Sequence, residues 1–233
     1  MSRRRALARL TDGAARDLPA VARRLLGRGR QSLDELALRL VGPDFEDRIR
    51  ELQRRYERMG GDPFGLDLEA ARHAVTVCAF FHRVYFRTNV NGIENVPSGR
   101  VVLVANHSGQ VPIDGAIIGT AMFLDANPPR VARAMVDTWA RTLPFVSQFF
   151  SRVGQVVGVP ENAARLLQME EALLVFPEGM GGVSKPIGRR YRLEEFGLGF
   201  MRLALQTGSP VVPVAVIGAE EQYVSVGNLR WAA

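Results

Sequence analysis

A histidine and an aspartate stand on either side of a short loop that follows a strongly apolar stretch. The segment VVLVA, residues 101–105, predicts a strand buried on both faces, and His107 stands at its carboxyl end. Pro112 suits the first turn of a helix, which would place Asp114 inside that turn. If the loop folds back, the carboxylate can accept a hydrogen bond from Nδ1–H and leave Nε2 free as a general base. The residues alone also allow an interpretation without catalysis. His107 would then be a polar residue at the end of a strand, and Asp114 an aspartate that the helix dipole stabilises in the first turn.

A second apolar strand runs into a loop rich in glycine and positive charge. The segment LLVFPEGMGGVSK, residues 173–185, predicts a strand that ends near Phe176, with Glu178 in the loop behind it. Backbone N–H groups of such a loop can point at an anion, and the cations that follow would add to the attraction. These cations are Lys185, Arg189, Arg190 and Arg192. A solvated basic loop is the alternative, and the P-loop pattern is absent from the sequence.

Strand and helix patterns alternate around both loops from residue 88 onward. Short apolar runs bounded by glycine and proline alternate with helical segments, which is typical of α/β proteins with parallel strands. We therefore predict an α/β fold whose mixed, largely parallel central sheet is flanked by helices. The carboxyl ends of its strands would bring the two loops to one edge. The dipeptide Asn91-Gly92 further predicts a hairpin turn with a strand on each side.

Residues 1–62 are predicted to be a basic tail and a helical appendage, and residues 63–233 the α/β domain. Arginine and alanine dominate the tail, whereas Gly42-Pro43 separates two short amphipathic helices. The tail can be solvated, held by anionic lipid, or bound to nucleic acid, for which the sequence offers no specific recognition element. The chain stops just after its last predicted strand, which leaves a truncation at the C-terminus open.

The segment from residue 67 to residue 87 predicts a long helix that is apolar around most of its circumference. A helix of this kind usually packs into a core. The alternative is an interfacial helix, with its aromatic side chains among lipid acyl chains and its arginines at the headgroups. Both interpretations stay open, because each can apply to one face of the helix.

The overall composition favours an anionic partner and gives no pattern of metal ligands. The chain has 233 residues, a formal net charge of +6 and a single cysteine, Cys78. Positive charge favours nucleic acid, acidic headgroups or phosphorylated molecules as partners. One cysteine excludes an intramolecular disulfide, and with three scattered histidines it does not form a zinc-ligand pattern. No apolar window is long enough to cross a bilayer as a helix.

Three motifs follow one another along the chain in a characteristic order. They are NHSGQVPID, which starts at Asn106, FPEG at residues 176–179, and SPVVPVAVIGAEE near the end. In this order and spacing they resemble the lysophospholipid/glycerol-phosphate acyltransferase superfamily, in particular its 1-acylglycerol-3-phosphate acyltransferase-like members. The resemblance covers residues 84 to about 222.

The resemblance implies transfer of a fatty acyl group from acyl-CoA or acyl carrier protein to the hydroxyl of a lysophospholipid or glycerol-phosphate lipid, as in phospholipid biosynthesis. His107 would act as general base and Asp114 would orient it, with no metal and no cofactor beyond the acyl thioester. The residues expected to bind substrate are Asn106, Ser108, Gly109, Phe176, Pro177, Glu178, Gly179, Lys185 and Arg189. The expected location is the cytoplasmic face of a membrane, with the protein peripheral or monotopic on an anionic surface.

Two departures from the family's usual pattern keep a second function open. His107 and Asp114 stand further apart than usual, and Met180 begins a block that usually reads Thr-Arg-Ser. The arginine expected to hold an acceptor phosphate is thus missing; Lys185 or Arg189 would replace it, or the acceptor is not a simple lysophosphatidate. For an arginine of the intermediate motif, the nearest candidate is Arg152. The alternative function is a catalytically silent, membrane-associated lipid-binding protein of the same fold.

Overall fold

The computed structural model of the chain describes residues 38–108, 113–137 and 145–222. By its internal contacts the chain divides between Pro43 and Asp44, and the larger unit, which starts at Asp44, contains the whole sheet. The helix at residues 45–58, which the sequence analysis assigns to the appendage, belongs to this larger unit. All features described below lie within it.

Five parallel strands form the centre of the larger unit. They are β1, Val101–Ala105; β2, Ala132–Val136; β3, Val156–Val157; β4, Ala172–Val175; and β5, Val211–Val214. Their order in the sheet is β3-β2-β4-β1-β5, and every pair of neighbours is parallel. The predicted class, α/β with a largely parallel sheet flanked by helices, is therefore confirmed. Because the strands are parallel, their carboxyl ends meet at one edge.

Helices precede the sheet and connect its strands. In chain order they are α1, Phe45–Arg58; α2, Leu68–Phe80; α3, Ile113–Leu124; α4, Val146–Arg152; α5, Pro160–Gln168; α6, Met180–Val183; and α7, Gly199–Thr207. Asp67 caps α2 by accepting hydrogen bonds from the backbone N–H groups of the first turn. A π-helical turn, Phe81–Tyr85, continues α2, so the predicted long helix is present in two parts.

The sheet is buried on both faces because neighbouring side chains of a strand point to opposite sides. On one face, Leu103 of β1 packs in a cluster that includes Met122 of α3. On the other face, Val102 packs in a cluster with Leu167 of α5 and Leu203 of α7. Full burial of an aliphatic side chain of this size contributes about 1.5–3 kcal/mol. The two layers explain why β1 reads as an unbroken apolar run, and they hold the carboxyl end of β1 in place.

The predicted hairpin at Asn91-Gly92 is wrong. Residues 88–100 contain no strand, and Gly92 has a φ of 77° and precedes a single 3-10 turn, Ile93–Asn95. The edges of β1 are occupied by β4 and β5, so a strand from this segment has no edge of β1 left to pair with. The Asn-Gly dipeptide does form a turn with a positive φ, but its local signal contains no information about pairing partners.

A cluster of buried charges joins α1 to the amino-terminal ends of β2 and β4. The guanidinium of Arg133 in β2 donates to Asp62 at 2.5 Å and to the carbonyl of Gly154 at 2.7 Å. Burial alone would raise the pKa of Asp62, but the hydrogen bond and the charge of Arg133 outweigh it and lower that pKa. The hydroxyl of Tyr56 in α1 donates to Glu171 at 3.2 Å, and burial raises the pKa of the Glu171 carboxyl group.

Replacing Arg133 by methionine is expected to lower the free energy of unfolding by about 3–5 kcal/mol. The side chains of Arg133 and Asp62 are 0% and 3% exposed, so the variant would leave a buried carboxylate without its charged partner. Urea denaturation measures the change. The matched control is Arg152→Met, which breaks the exposed pair with Asp67 and should cost no more than about 1 kcal/mol. Equal losses in the two variants would contradict this account of the cluster.

Candidate active site

The carboxyl ends of β1 and β4 bring the two predicted loops together. These strands are adjacent and parallel, with Val104 opposite Val175 in the register. His107 follows β1 and Glu178 follows β4, so both loops begin at the same edge of the sheet. The backbone N–H of His107 donates to Glu178 Oε1 at 2.9 Å, which joins the two loops directly.

The His107 imidazole and the Asp114 carboxylate are in contact. Nδ1 lies 2.6 Å from Oδ2, and the two side chains are 10% and 0% exposed. Asp114 Oδ2 also accepts the backbone N–H of Ser108 at 3.0 Å, while Oδ1 accepts that of Gly115 at 2.8 Å. Because an ionised carboxylate can only accept hydrogen bonds, the proton between the two side chains belongs to Nδ1 of His107. In the neutral imidazole the lone pair is then on Nε2.

The face of the imidazole is held by Phe176. The two rings stack with their centroids 4.1 Å apart and an angle of 23° between their planes. Gly115 lies beside the Phe176 ring, since a Cβ at this position would come within 3.5 Å of it. The imidazole is therefore fixed at Nδ1 by a carboxylate and on one face by an aromatic ring.

Glu178 connects the first loop to the rest of the second. While Oε1 accepts from His107, Oε2 accepts the backbone N–H of Glu194 at 2.7 Å and the Lys185 ammonium at 3.2 Å. Its side chain is 0% exposed. The carboxylate that the sequence assigns to the acceptor is thus engaged with three donors of the protein itself. Glu178 therefore pairs with a cation of its own loop, which explains why a glutamate occurs among these positive charges.

Lys185 is enclosed by protein acceptors. Its Nζ lies 2.7 Å from Glu220 Oε1 and donates to the carbonyl of Arg192 at 3.0 Å, besides its contact with Glu178. Burial alone would lower the pKa of Lys185, but the carboxylates of Glu220 and Glu178 outweigh it and raise that pKa. The ammonium is therefore held in the charged form between two carboxylates.

A glycine in α6 allows the closest approach between the loops. A Cβ at Gly182 would lie 2.8 Å from the carbonyl oxygen of His107, 2.9 Å from its Cβ and 3.0 Å from the Cβ of Glu178. Real Cβ atoms do not tolerate such distances, and two of these atoms belong to the residue that carries the imidazole. Gly181, the preceding residue, has room, since a Cβ there would meet Glu194 at 3.7 Å.

Most of the other predicted site residues lie in the two loops around this centre. The Asn106 amide pairs with the backbone of Val216, donating to its O at 2.9 Å and accepting from its N at 2.7 Å. The Ser108 hydroxyl is buried and has no hydrogen-bond partner among the residues that the structure describes. In the second loop, Gly179 has a φ of 55°, and the Pro177 carbonyl accepts a backbone N–H at 2.9 Å. Gly109 lies outside the described residues.

Two predicted cations lie in ion pairs at the surface. Arg189 contacts Glu194 at 2.8 Å, with its own side chain 59% exposed. Arg152, the candidate from the intermediate motif, contacts the α2 cap Asp67 at 2.7 Å. Within the part of the chain that the structure describes, neither arginine forms a hydrogen bond or an ion pair with His107 or Asp114.

Two residues that contact this centre, Glu220 and Gly182, are not among those predicted from the sequence. Glu220 belongs to the turn after β5, within the quoted block SPVVPVAVIGAEE, and β5 is the parallel neighbour of β1. A carboxylate after the carboxyl end of a neighbouring strand was a usable signal for this residue. Nothing in the sequence distinguishes Gly182 from Gly181, because only the packing shows which of them faces His107.

The described residues contain further features that bear on cofactors and membranes. No three His, Cys, Asp or Glu side chains within the described ranges are grouped so that they could hold a metal ion. No described helix is long and apolar enough to cross a bilayer.

A cavity of about 600 Å³ lies between the end of α1 and the start of α2, lined among others by Tyr56, Glu57 and Asp62. None of the predicted site residues lines it.

Residues 87–217, more than half of the chain, match the sequence profile of the family described as Acyltransferase. The chain therefore belongs to the acyltransferase family. The resemblance seen in the three motifs is confirmed by this match, which spans both loops and all five strands.

Curated relatives of the chain come from mycobacteria and a mycoplasma. An uncharacterized protein of Mycobacterium leprae is 38% identical over 156 residues, covering 66% of this chain and 42% of the relative. An uncharacterized protein of Mycobacterium tuberculosis is 35% identical over 175 residues, covering 74% and 49%. A probable 1-acyl-sn-glycerol-3-phosphate acyltransferase of Mycoplasma pneumoniae is 29% identical over 147 residues, covering 60% and 52%. The chain spans about half the length of the curated relatives it matches.

A solved structure that resembles the chain is the crystal structure of the 1-acyl-sn-glycerophosphate (LPA) acyltransferase, PlsC, from Thermotoga maritima. The superposition has a TM-score of 0.46 at 24% sequence identity and covers 65% of this chain and 60% of the other. Similarity at this level concerns the general arrangement of the chain and says nothing about substrates.

Proposed function

We propose that this chain transfers a fatty acyl group from a thioester to the hydroxyl of a lipid, with His107 as general base. The observation that carries the proposal is the 2.6 Å contact between His107 Nδ1 and Asp114 at the carboxyl edge of the sheet. In a member of the acyltransferase family, this contact supplies a base of defined tautomer beside an edge where α/β proteins bind ligands.

The reaction uses the unprotonated Nε2 of the imidazole. The acceptor oxygen attacks the thioester carbonyl carbon while Nε2 takes the hydroxyl proton, and a tetrahedral intermediate forms. The C–S bond then breaks, and the departing thiolate takes the proton back from the imidazolium, leaving an ester and a free thiol. Asp114 stabilises the transient imidazolium and keeps the ring oriented, as in other histidine–carboxylate pairs.

The co-substrates follow from the same proposal. The acyl donor is acyl-CoA or acyl carrier protein, and the acceptor is a glycerol-based lipid with a free hydroxyl, the class to which lysophospholipids and glycerol-phosphate lipids belong. No resident metal or cofactor takes part in the scheme, since a thioester already carries an activated acyl group. The cytoplasmic face of a membrane is where such donors and acceptors meet.

The outward face of α2 and its π turn supports attachment to a membrane surface. The buried residues of this segment are small or polar: Ala71, Ala79 and His82. The large apolar side chains of the segment are therefore not among its fully buried residues. Five large apolar side chains of the segment are exposed and form what we call the apolar surface of α2: Val77, Phe80, Phe81, Val84 and Tyr85. Aromatic and aliphatic side chains on one helix face are typical of helices that lie in the lipid interface.

Replacing Val77 and Tyr85 by serine together is expected to weaken binding to lipid vesicles by about tenfold or more, because both side chains would lose burial in the acyl region. They are 62% and 64% exposed, so folding should be little affected. Co-sedimentation with vesicles of phosphatidylglycerol and phosphatidylcholine measures the change. The matched control is Leu205→Ser, an apolar residue of α7 that is 83% exposed. Equal weakening by the control would exclude α2 as the contact surface.

Incubation of the purified chain with radiolabelled acyl-CoA and a panel of lysolipids and acylglycerols tests the proposed function. We expect release of free thiol together with one new labelled ester that depends on the acceptor. Binding of lipid without thiol release or labelled product would instead support the catalytically silent lipid-binding protein. The histidine variant described in the Discussion decides whether turnover depends on the proposed base.

A further inference from the structure

We infer that the acceptor is a neutral lipid alcohol, such as a monoacylglycerol, without a phosphate group close to the reacting hydroxyl. This inference rests on the proposed function and narrows it to one class of acceptor. It follows from the partners of the cations in the second loop and from the side chains that this loop exposes.

The cation that contacts the Glu178 carboxylate is not available to a phosphate. Lys185 is 5% exposed and lies between the carboxylates of Glu178 and Glu220. To bind a phosphate it would have to leave them, and two carboxylates in a largely buried position would lose their counter-charge. Glu178 would also lose a contact that holds it against the backbone of His107. Lys185 therefore acts as a positioning residue for the loop.

Of the remaining cations of the second loop, Arg189 and Arg190 contact side chains of the loop itself, whereas Arg192 is exposed. The guanidinium of Arg189 pairs with Glu194, and that of Arg190 lies over the Tyr191 ring at 5.5 Å from its centroid. The loop and the adjoining turn after β5 contain four cations but five carboxylates. The carboxylates are Glu178, Glu194, Glu195, Glu220 and Glu221. A phosphate monoester with a charge of about −1.5 to −2 at pH 7 would meet net repulsion there.

The exposed apolar side chains of the same loop suit a neutral lipid. Met180, which occupies the first position after the FPEG motif, is 54% exposed, and Leu193 is 65% exposed. Ile187 between them is also exposed. Apolar side chains around paired charges can contact the acyl chain and glycerol carbons of an acceptor, whereas they offer nothing to a phosphate. Together with the excess of carboxylates, these side chains favour an acceptor whose polar part carries no charge.

A comparison of three acceptors with identical acyl chains tests the inference: monoacylglycerol, lysophosphatidic acid and lysophosphatidylcholine, each in mixed micelles with acyl-CoA. We expect kcat/KM for monoacylglycerol to exceed that for either phosphorylated acceptor by about tenfold or more. A preference for lysophosphatidic acid or lysophosphatidylcholine overturns the inference and leaves the proposed function standing. If none of the three is acylated with either acyl-CoA or acyl carrier protein as the donor, the proposed function itself fails and the inference with it.

A variant connects the preference to the ion pairs. Glu220→Gln removes one of the two carboxylates that hold Lys185, so the ratio of lysophosphatidic acid to monoacylglycerol use should rise by about threefold or more. Glu161→Gln, an exposed carboxylate in the first turn of α5, is the matched control and should leave the ratio unchanged. A ratio that is the same in both variants overturns the assignment of the preference to these ion pairs.

Discussion

Alanine in place of His107 is expected to lower kcat for acyl transfer by about 10²–10⁴-fold, the usual contribution of general-base catalysis. The side chain belongs to neither apolar cluster of the sheet, is 10% exposed, and contacts the Asp114 carboxylate and the Phe176 ring. Loss of the imidazole removes the only group that the proposal assigns to proton transfer. Initial rates of thiol release, with the same acyl-CoA and acceptor for both proteins, measure the effect.

The control for this variant is His73→Ala. His73 is an exposed histidine of α2 whose Nδ1 contacts the carbonyl of Glu69 within the same helix. It should keep full activity, and circular dichroism should show that both variants are folded. Turnover near the wild-type rate in the folded His107 variant would remove this residue from the mechanism and favour another base.

Alanine in place of Gly182 is expected to lower kcat/KM by about 10²-fold, because a displacement of about 1 Å at a catalytic group can cost that much. The new Cβ would lie 2.8 Å from the carbonyl oxygen of His107, and a backbone oxygen cannot move without shifting the residue that carries the imidazole. It would also press on Glu178, whose carboxylate holds the His107 N–H. The variant changes no group that takes part in the chemistry.

Gly181→Ala is the matched control for the glycine variant. It adds the same methyl group one residue earlier in α6, where the nearest atoms are those of Glu194 at 3.7 and 3.8 Å. Both substitutions change the backbone preference of α6 in the same way, so a difference between them reports on the contact with His107. Equal activity of the two variants would mean that the loops adjust without disturbing the imidazole.

Both large effects depend on one arrangement, in which the second loop supports the first. Glu178 accepts the backbone N–H of His107 and is itself held by Lys185 and the backbone of Glu194. Through Lys185, this support reaches Glu220 in the turn after β5. The carboxyl ends of three adjacent strands, β4, β1 and β5, thus contribute to the position of one imidazole.

Much of the fold could be predicted from the sequence because its signals are local. The run VVLVA identifies a strand buried on both faces, and β1 is that strand, with every residue buried. The pairing of His107 with Asp114 is also a short-range feature, since only seven positions separate them along the chain. The prediction of a hairpin at Asn91-Gly92 was wrong because strand pairing is not a local property. It depends on which strand edges are free, and distant segments already occupy both edges of β1.

The sequence by itself therefore determined the alternation of strands and helices from β1 onward, the largely parallel sheet and the residues at the ends of β1 and β4. Only the tertiary structure decided which charges are paired. From the sequence, Lys185 is predicted to be a cation available to a ligand. In the structure it forms an ion pair with Glu220, which is 35 positions away in the chain and comes close because β5 lies beside β1. The physical reason is that the pattern of apolar side chains in neighbouring residues determines whether a segment forms a strand or a helix. The environment of a charge depends instead on groups that only packing brings close to it. A loop that is basic in sequence can thus be neutral or acidic in space.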